Sequence, residues 1–372
     1  LMQSISTRPV RTFSIGFDEK AYNEADAAKS VATHLRTEHS EHYLTPADAQ
    51  QIIPNLPDIY CEPFADSSQI PSYLVAKFAR QSVTVALTGD GGDEVFGGYN
   101  RYLFGTRLFQ SARSVPVPVR QALATLLAGP RPESWDKLGD LFRHVLPVAW
   151  RFQDPGDKVA KLVRSLAFRS PAELYESFLY QWWPDPSAAV LGATSSLTSS
   201  SWMEPALREL NFTEQMMAQD AIAYLPNDIL VKLDRAAMAV GLEGRVPFLD
   251  HELYEFAATL PMGMKIRDGQ TKWILKEILH RYVPKSLVDR AKTGFGIPIE
   301  HWLRGPLRAW AEALLSPHAL VSVGIFDVHA VRSAWETHLS GRRNLQHPLW
   351  CVLMYQAWHE RWMGSGEERL GA

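Results

Sequence analysis

Strand-like and helix-like segments alternate through residues 10–90, and this alternation limits the fold more than any other feature of the sequence. Residues 10–17 are rich in β-branched and aromatic side chains, as expected of a buried strand. Residues 82–87 are predicted to form another strand, and residues 40–44 are a short strand candidate. The segments between them have helical patterns, with Asn23 as a predicted N-cap. Strands that alternate with helices predict a parallel sheet with right-handed crossovers, and therefore an α/β fold.

The remainder of the chain is predicted to be mainly helical, with no clear strand after Tyr102. Apolar residues recur at three- and four-residue spacing from 225 to 240, which is typical of the buried face of a helix. Asp250 is placed to cap a further helix. We therefore predict an α/β part at 1–112 followed by a helical part at 113–372.

Charge and cysteine content exclude several classes of protein. The 372 residues have a net charge of -3, so neither nucleic acid nor an anionic membrane is expected as a partner. The two cysteines, Cys61 and Cys351, are too few for a disulfide framework, which fits a reducing compartment. No signal peptide opens the sequence and no apolar run is long enough to span a bilayer, so we predict a cytoplasmic protein.

The stretch TGDGGDEVFGGY, directly after the third predicted strand, is both glycine-rich and acidic. Ligands of parallel sheets bind beyond the carboxyl ends of strands, which is where Thr88 and Gly89 lie. Glycines let a backbone approach a phosphate closely, and Asp90, Asp93 and Glu94 could hold Mg2+ against phosphate oxygens. The alternative is a strand-to-helix turn whose acidic residues cap the next helix. The stretch by itself leaves both interpretations open.

Other residues could complete a nucleotide site with this loop. Ile15 and Gly16 end the first predicted strand, so they would flank the same ligand. Lys272 falls in the first turn of a predicted helix, where a cation opposes the helix dipole unless both face a bound anion. Lys292 precedes a Gly-Phe-Gly turn that could close over a polyphosphate. A solvated surface position is the alternative for each lysine.

Charged residues between 228 and 245 also allow two interpretations. Asp228 and Lys232 have the spacing of a favourable i,i+4 surface pair. Glu243 and Arg245 lie in a short extended segment between apolar residues, where charges usually need partners. Such a network could support a functional site or could be purely structural.

Four stretches, in order, carry a specific family resemblance: LTGDGGDEVFGGY, DILVKLDRAAMAVGLEGRVPFLD, TKWILK and KTGFGIP. Together they resemble the synthetase domain of glutamine-dependent asparagine synthetases, over nearly the whole chain. That family belongs to the wider class of pyrophosphatase-loop ATPases. The resemblance implies an adenine nucleotide α-hydrolase-like fold, in which a parallel sheet has helices on both faces and is followed by a largely helical half.

The resemblance also implies an ATP-dependent amide ligase. Aspartate would attack the α-phosphate of ATP to give β-aspartyl-AMP and pyrophosphate, and ammonia, normally from glutamine, would then displace AMP to give asparagine. Asp90 and Lys272 match the catalytic positions, and Lys272 would stabilise charge on the phosphates. The positions carried over to the cofactors are Ile15, Gly16, Thr88, Gly89 and Lys292 for ATP, and Asp93 and Glu94 for Mg2+.

Two features of the family are missing from this sequence. The Ser-Gly-Gly-x-Asp-Ser loop on the family's first strand, which grips the pyrophosphate, is absent, and so is the amino-terminal glutaminase domain. We therefore expect a fragment that lacks its first strand and that is inactive or severely impaired alone. A homodimer is compatible with the sequence.

Three alternative functions stay open at this point. The chain could belong to a ligase for a different carboxylate, similar to β-lactam synthetases, or to a non-catalytic module, or to a nucleotide-binding regulator. The residue after Thr-Gly is not acidic in β-lactam synthetases, so Asp90 favours the asparagine branch. Intact Asp90, Asp93 and Lys272 argue against a loss of chemistry.

Overall fold

The structure is a computed structural model that describes residues 1–17, 23–128, 163, 166, 168–179, 182, 189–193, 207, 209–289 and 297–364. Within those ranges, every helix is too short or too polar to cross a lipid bilayer. The chain divides into two compact units. Unit 1 comprises Leu1–Gly98, Asp220–Ala319 and Leu349–Ala372, and unit 2 comprises Tyr99–Gln219 and Leu320–Pro348. The predicted division at residue 112 stays a prediction.

Unit 1 contains two small parallel sheets of two strands each. Strand β1 (Arg11–Phe17) pairs in register with β2 (Glu38–Leu44) from end to end. Strand β3 (Val85–Leu87) pairs with β4 (Glu243–Arg245). The α/β class and the parallel pairing are confirmed, but the expectation of no strand beyond Tyr102 is wrong, because β4 forms there. One sheet with helices on both faces stays a prediction.

Helices make up most of the described chain. In chain order they are α1 (Met2–Ile5), α2 (Ala25–Leu35), α3 (Pro46–Ile52), α4 (Leu56–Tyr60), α5 (Gln69–Arg80), α6 (Gly92–Phe96), α7 (Asn100–Ala112), α8 (Val117–Ala128), α9 (Pro171–Leu179), α10 (Phe212–Gln219), α11 (Leu230–Met238), α12 (His251–Thr259), α13 (Met262–Lys265), α14 (Trp273–Leu279), α15 (Lys285–Val288), α16 (Ile299–Arg304), α17 (Arg308–Leu314), α18 (Pro317–Val323), α19 (Val328–Leu339) and α20 (Gln346–Trp362). A π-helix at Asp220–Ile229 leads into α11, and 3-10 turns lie at Ile53–Asn55 and Pro247–Leu249.

Side chains near helix starts explain where two of these helices begin. The Asp250 carboxylate accepts the backbone N–H groups of Glu252 and Leu253, at 3.1 and 3.2 Å, so the predicted cap of α12 is confirmed. Helix α2 has Glu24 at its N-cap position. The side chain of Asn23, one residue earlier, accepts the Ala25 N–H at 3.0 Å, so the predicted cap is displaced by one residue.

A small apolar cluster joins the two sheets to helices α5 and α11. Its buried members are Ala76, Ala79, Ala237 and Leu242, and Phe13 of β1 and Ala86 of β3 pack against it, together with Val83 and Val240. At the start of β1, the Arg11 guanidinium donates to the carbonyl oxygen of Ser82 at 2.8 Å, just before β3. The two sheets therefore share one supporting layer of helix.

The long helix α20 returns to unit 1 and is fastened to α4. The Arg361 guanidinium donates to the Asp58 carboxylate at 2.7 Å, and the Trp362 indole N–H donates to the carbonyl oxygen of Pro57 at 3.0 Å. These partners are about three hundred residues apart in the chain, with 303 positions between Asp58 and Arg361. Unit 1 is therefore closed by contacts of very long sequence separation.

Unit 2 is built from helices α7 to α10 and α19. Thr106 of α7 and Thr213 of α10 share a hydrogen bond between their hydroxyls at 2.6 Å. The buried Arg120 of α8 donates to the carbonyl oxygen of Phe168 at 3.1 Å, and its guanidinium lies 4.0 Å from the centre of the Phe168 ring. The buried arginine is thus held by both a hydrogen bond and an aromatic face.

Candidate functional site

The glycine-rich loop begins where β3 ends, as the sequence predicts. The Thr88 backbone N–H extends the ladder by donating to the carbonyl oxygen of Arg245 at 2.9 Å. The Thr88 hydroxyl oxygen is buried and has no hydrogen-bond partner within the described part of the chain. At the next residue, Gly89, a Cβ atom would meet nothing within 4 Å. A buried polar atom beside open space is where a ligand oxygen or hydroxyl would be bound.

Helix α6 is only five residues long because glycines end it on both sides. Gly91 and Gly97 have φ angles of 78° and 68°, in the left-handed region that other residues disfavour. A Cβ at Gly91 would lie 2.6 Å from Leu249, so this turn also packs too closely for a side chain. Val95 and Phe96, on the buried face, pack against Ala257 of α12. The glycines at its two ends therefore set the length of this short helix, and the packing of Val95 and Phe96 positions it directly after the loop.

The structure brings Asp93 of α6 together with Lys272. The Lys272 Nζ atom lies 3.0 Å from the Asp93 Oδ2 atom, and the two side chains are 29% and 24% exposed. Lys272 occupies the N-cap position of α14 and has a φ angle of 52°, which is rare for a residue with a side chain. Such backbone strain is concentrated at functional sites, because the surroundings must hold it. The sequence predicted Lys272 at a helix start, where the helix dipole favours an anion beside it. The structure places the Asp93 carboxylate there.

Gly98 gives the ion pair the space that it occupies. A Cβ atom at Gly98 would overlap the Asp93 carboxylate and the Lys272 Cε atom, and would lie 2.7 Å from Asp93 Cγ. The Gly98 N–H donates to the backbone carbonyl of Asp93 at 2.7 Å, which keeps the glycine against the helix end. Position 98 therefore requires a glycine, because any side chain there would overlap the Asp93 and Lys272 side chains.

The other two acidic residues of the loop have different surroundings. Asp90 is half-buried, and no hydrogen bond or ion pair of its carboxylate is present in the residues that the structure describes. Glu94 is 2% exposed, on the inner side of α6. Burial, and next the Glu94 charge, raise the pKa of Tyr254 on α12. The cap position of α6 is Gly91, which has no side chain to donate or accept, and Asp93 and Glu94 lie in the first turn of α6, where their charges also complement the helix dipole.

Metal binding at this loop stays a prediction. The described residues contain no group of three or more His, Cys, Asp or Glu side chains placed to hold an ion. Asp93 is directed at Lys272, and Glu94 is buried. Because Mg2+ usually takes only one or two protein carboxylates and completes its shell with phosphate oxygens and water, Asp93 is compatible with such an ion.

Two of the predicted nucleotide contacts lie in the other sheet. Ile15 and Gly16 are buried at the carboxyl end of β1, opposite His42 and Tyr43 of β2. A Cβ at Gly16 would lie 2.8 Å from the Tyr43 ring, so Gly16 is required by packing. Their role at a nucleotide stays a prediction. Lys292 lies outside the described residues.

A second lysine–aspartate pair was not visible in the sequence. Lys232 of α11, expected beside Asp228, donates from Nζ to the Asp66 carboxylate at 2.8 Å and to the Ser68 hydroxyl at 2.9 Å. Burial alone raises the pKa of Asp66, but the Lys232 charge and hydrogen bonds from Lys232 and Ser68 outweigh it and hold that pKa below its usual value. The pair spans 166 residues, so no local pattern signals it.

The charged strand β4 makes a simpler pair. The Arg245 guanidinium and the Glu243 carboxylate lie 2.8 Å apart on an exposed surface. The charges that needed partners therefore satisfy each other, in the two-residue spacing of one strand face.

The sequence matches the asparagine synthase family from residue 1 to residue 360. The chain belongs to the asparagine synthase family. The family resemblance carried by the four sequence stretches is thus confirmed.

The chain is similar in sequence to several curated proteins, of which three are described here. The glutamine-hydrolyzing asparagine synthetase 1 of Bacillus subtilis (strain 168) is 30% identical over 94% of this chain and 52% of its own length. A putative glutamine-hydrolyzing asparagine synthetase of Mycobacterium bovis is 32% identical over 94% of this chain and 50% of its own length. A Penicillium rubens protein named as an amidase is 22% identical over 88% of this chain and 49% of its own length. The chain spans about half the length of the curated relatives it matches.

Proposed function

We propose that the chain is the ATP-dependent synthetase part of an enzyme that converts aspartate to asparagine, with ammonia normally supplied from glutamine. The observation that carries this proposal is the Asp93–Lys272 pair beside an open glycine loop at the end of a parallel strand. The names of the two bacterial relatives, at 30% and 32% identity, support asparagine as the product. The relative named as an amidase is only 22% identical, so the alternative of a different substrate has weaker support.

The reaction has two displacements. In the first, a carboxylate oxygen of aspartate forms a bond to the α-phosphorus of ATP while the bond to the pyrophosphate leaving group breaks. In the second, the nitrogen of ammonia attacks the acyl carbon, AMP leaves with its electron pair, and the nitrogen loses a proton. Both steps depend on placing charge against the developing charge of the phosphates.

The residues of the loop fit this chemistry. The Thr88 hydroxyl, which has no hydrogen-bond partner among the residues that the structure describes, can donate to a nucleotide oxygen, and the open space at Gly89 admits a ligand against the backbone. Lys272 presents a fixed ammonium to the phosphates. Asp90 is the half-buried carboxylate of the loop and would assist formation of the acyl-adenylate. Asp93 would hold Mg2+, which neutralises phosphate charge when bound.

Several finer statements belong to the same proposal. Strands β1 and β3 each have one hydrogen-bonded neighbour, and they share the helix layer below them. This supports a single parallel sheet of the nucleotide α-hydrolase type, with helices on both faces. Nucleotide contacts by Ile15, Gly16 and Lys292, a Mg2+ contact by Glu94, a homodimer and a cytoplasmic location stay predictions.

Carboxylate-dependent exchange of labelled pyrophosphate into ATP tests the proposal, because it reports the first displacement without needing ammonia. The native gene product that carries these 372 residues should show exchange with aspartate and form asparagine when ammonium is added. Exchange with another carboxylate and not with aspartate would show a different ligase. Nucleotide binding without any carboxylate-dependent exchange would instead show a regulator, and both results would overturn the proposal.

A further inference from the structure

The Asp93–Lys272 ion pair joins two groups to which the proposed function gives different ligands. Asp93 is the candidate for a divalent cation, and Lys272 is the candidate for the phosphates. In the structure each is the partner of the other, at 3.0 Å. A carboxylate that binds an ammonium must give up that contact, in whole or in part, to bind a metal ion through the same oxygen.

The surroundings hold the pair in this state. Lys272 has a left-handed backbone at the start of α14, and its side chain reaches Asp93 on α6. The two side chains occupy space that a Cβ atom at position 98 would fill, and Gly98 leaves that space open. Helix α6 is itself fixed by the glycines at both ends and by its packing on Ala257. The contact therefore does not arise from two long surface side chains that meet by chance.

We infer that the Lys272 ammonium is an internal substitute for the divalent cation at Asp93, so that cation and polyphosphate bind as mutually dependent ligands. The inference rests on the proposed function, in which both ligands use this loop. A cation that arrives alone and binds through Asp93 Oδ2 has to displace Lys272, and through Oδ1 it has to bind beside the ammonium charge. A polyphosphate that draws Lys272 towards itself releases Asp93 for the cation, and a bound cation releases Lys272 for the phosphate. By linkage, each ligand raises the affinity for the other by the same factor.

The test uses Mn2+ alone, titrated into the native protein without nucleotide and followed through the electron paramagnetic resonance signal of free Mn2+. Lys272→Met removes the competing ammonium, and we expect it to raise the Mn2+ affinity about fivefold, the size of effect of a partly exposed ion pair. Lys276→Met is the matched control, because it removes the same charge one helical turn further along α14. Lys276→Met should change the Mn2+ affinity by less than about twofold.

Two further variants keep the test decisive. Adding Asp93→Asn to Lys272→Met should abolish the gain, which places the ion at Asp93. If Lys272→Met does not fold, as judged by thermal unfolding, Lys272→Gln replaces it. Equal Mn2+ affinity in the native protein and the Lys272 variant, or an equal gain in Lys276→Met, would overturn the inference.

The reciprocal arm uses tripolyphosphate in the presence of a chelator. Asp93→Asn should bind it about fivefold more tightly than the native protein, because Lys272 is then free to pair with phosphate. Asp90→Asn, with the same charge change three residues earlier, should give a smaller gain. An equal gain in both would mean general repulsion and would contradict the inference. Neither arm contains aspartate, so the pyrophosphate exchange assay tests the proposed function separately.

Discussion

Unit 1 contains two lysine–aspartate pairs that have the same chemistry and opposite settings. Lys232 and Asp66 are 13% and 21% exposed, and both also bind Ser68: Lys232 donates to the Ser68 hydroxyl, and the Ser68 backbone N–H donates to the Asp66 carboxylate. Lys272 and Asp93 are slightly more exposed and lie beside a loop with open space and a strained backbone. The first pair has its hydrogen-bonding capacity largely satisfied by the protein, which suits a structural role. The second is the pair that we propose to exchange partners with a ligand.

The largest expected effect separates the pairs by activity. In the native protein, Lys272→Met should lower the rate of aspartate-dependent pyrophosphate exchange by about 10²–10³-fold, the usual loss when one preorganised charge is removed from a transition state. The free energy of unfolding should change by less than about 1 kcal/mol, because the pair is partly solvated. Exchange kinetics and urea unfolding measure the two quantities. A large loss of stability with exchange intact would reverse the roles assigned to the pairs.

The next effect concerns stability. Lys232→Met leaves the Asp66 carboxylate largely buried without its counter-charge, and should lower the free energy of unfolding by about 2–3 kcal/mol. Lys232→Met combined with Asp66→Asn removes the stranded charge, so the double variant should recover part of that loss. Urea unfolding of both variants and of the native protein gives the comparison. A double variant that is no more stable than Lys232→Met would show that lost packing dominates.

A glycine substitution tests the clearance around the second pair. Gly98→Ala would place a methyl group against the ends of the Asp93 and Lys272 side chains, which can move, so the stability cost should be about 1 kcal/mol. The pair itself would be displaced, and pyrophosphate exchange should fall about tenfold. Gly89→Ala, where a Cβ meets nothing within 4 Å, is the stability control and should cost less than about 0.5 kcal/mol. Equal destabilisation by both alanines would contradict the clearance argument.

The smallest effect is the pH dependence of the structural pair. The pKa of Asp66 is held below its usual value in the folded protein, so as the pH falls the unfolded chain takes up this proton first, near pH ~4. The stability from the pair is complete above that pH and is lost as the pH falls towards the folded pKa. Asp66→Asn should therefore flatten the fall in unfolding free energy below about pH 4. The change in slope is limited to one proton, about 1.4 kcal/mol per pH unit.

Lys232→Met should flatten the same part of the curve, since it removes the charge that lowers the pKa of Asp66. The free energy of unfolding, measured with urea at a series of pH values, checks both variants. An unchanged slope in both would mean that Asp66 does not contribute to acid unfolding.

The elements that sequence reasoning predicted well are those with local causes. Residues 10–17 have the composition of a strand and form β1 at Arg11–Phe17, and Asp250 caps α12 through its own backbone neighbours. Strand β4 was not predicted, because Glu-Gly-Arg has neither the alternation nor the branched side chains of a strand. It forms because its backbone pairs with β3, which is distant in the chain.

The candidate site follows the same division. The helical pattern placed Lys272 at a helix start, since that pattern depends only on nearby residues, and the helix dipole indicated that an anion should face it. Its pairing with Asp93, and the pairing of Lys232 with Asp66 instead of the neighbouring Asp228, depend on how the helices pack. The need for a glycine at position 98 depends on Asp93, which is close in the sequence, and on Lys272, which is distant in the sequence. Local patterns therefore single out the candidate residues, but the tertiary structure decides which of them meet.

The fastening of α20 to α4 has a consequence for the order in which the protein matures. Asp58 emerges from the ribosome 303 positions before Arg361, its partner. At about 5–20 residues per second, the early part of unit 1 waits roughly 15–60 s for its closing helix. During that interval the Asp58 carboxylate and the Pro57 carbonyl lack their partners on α20, and unit 2 is synthesised in between. Chaperone dependence during translation should accordingly be concentrated in unit 1.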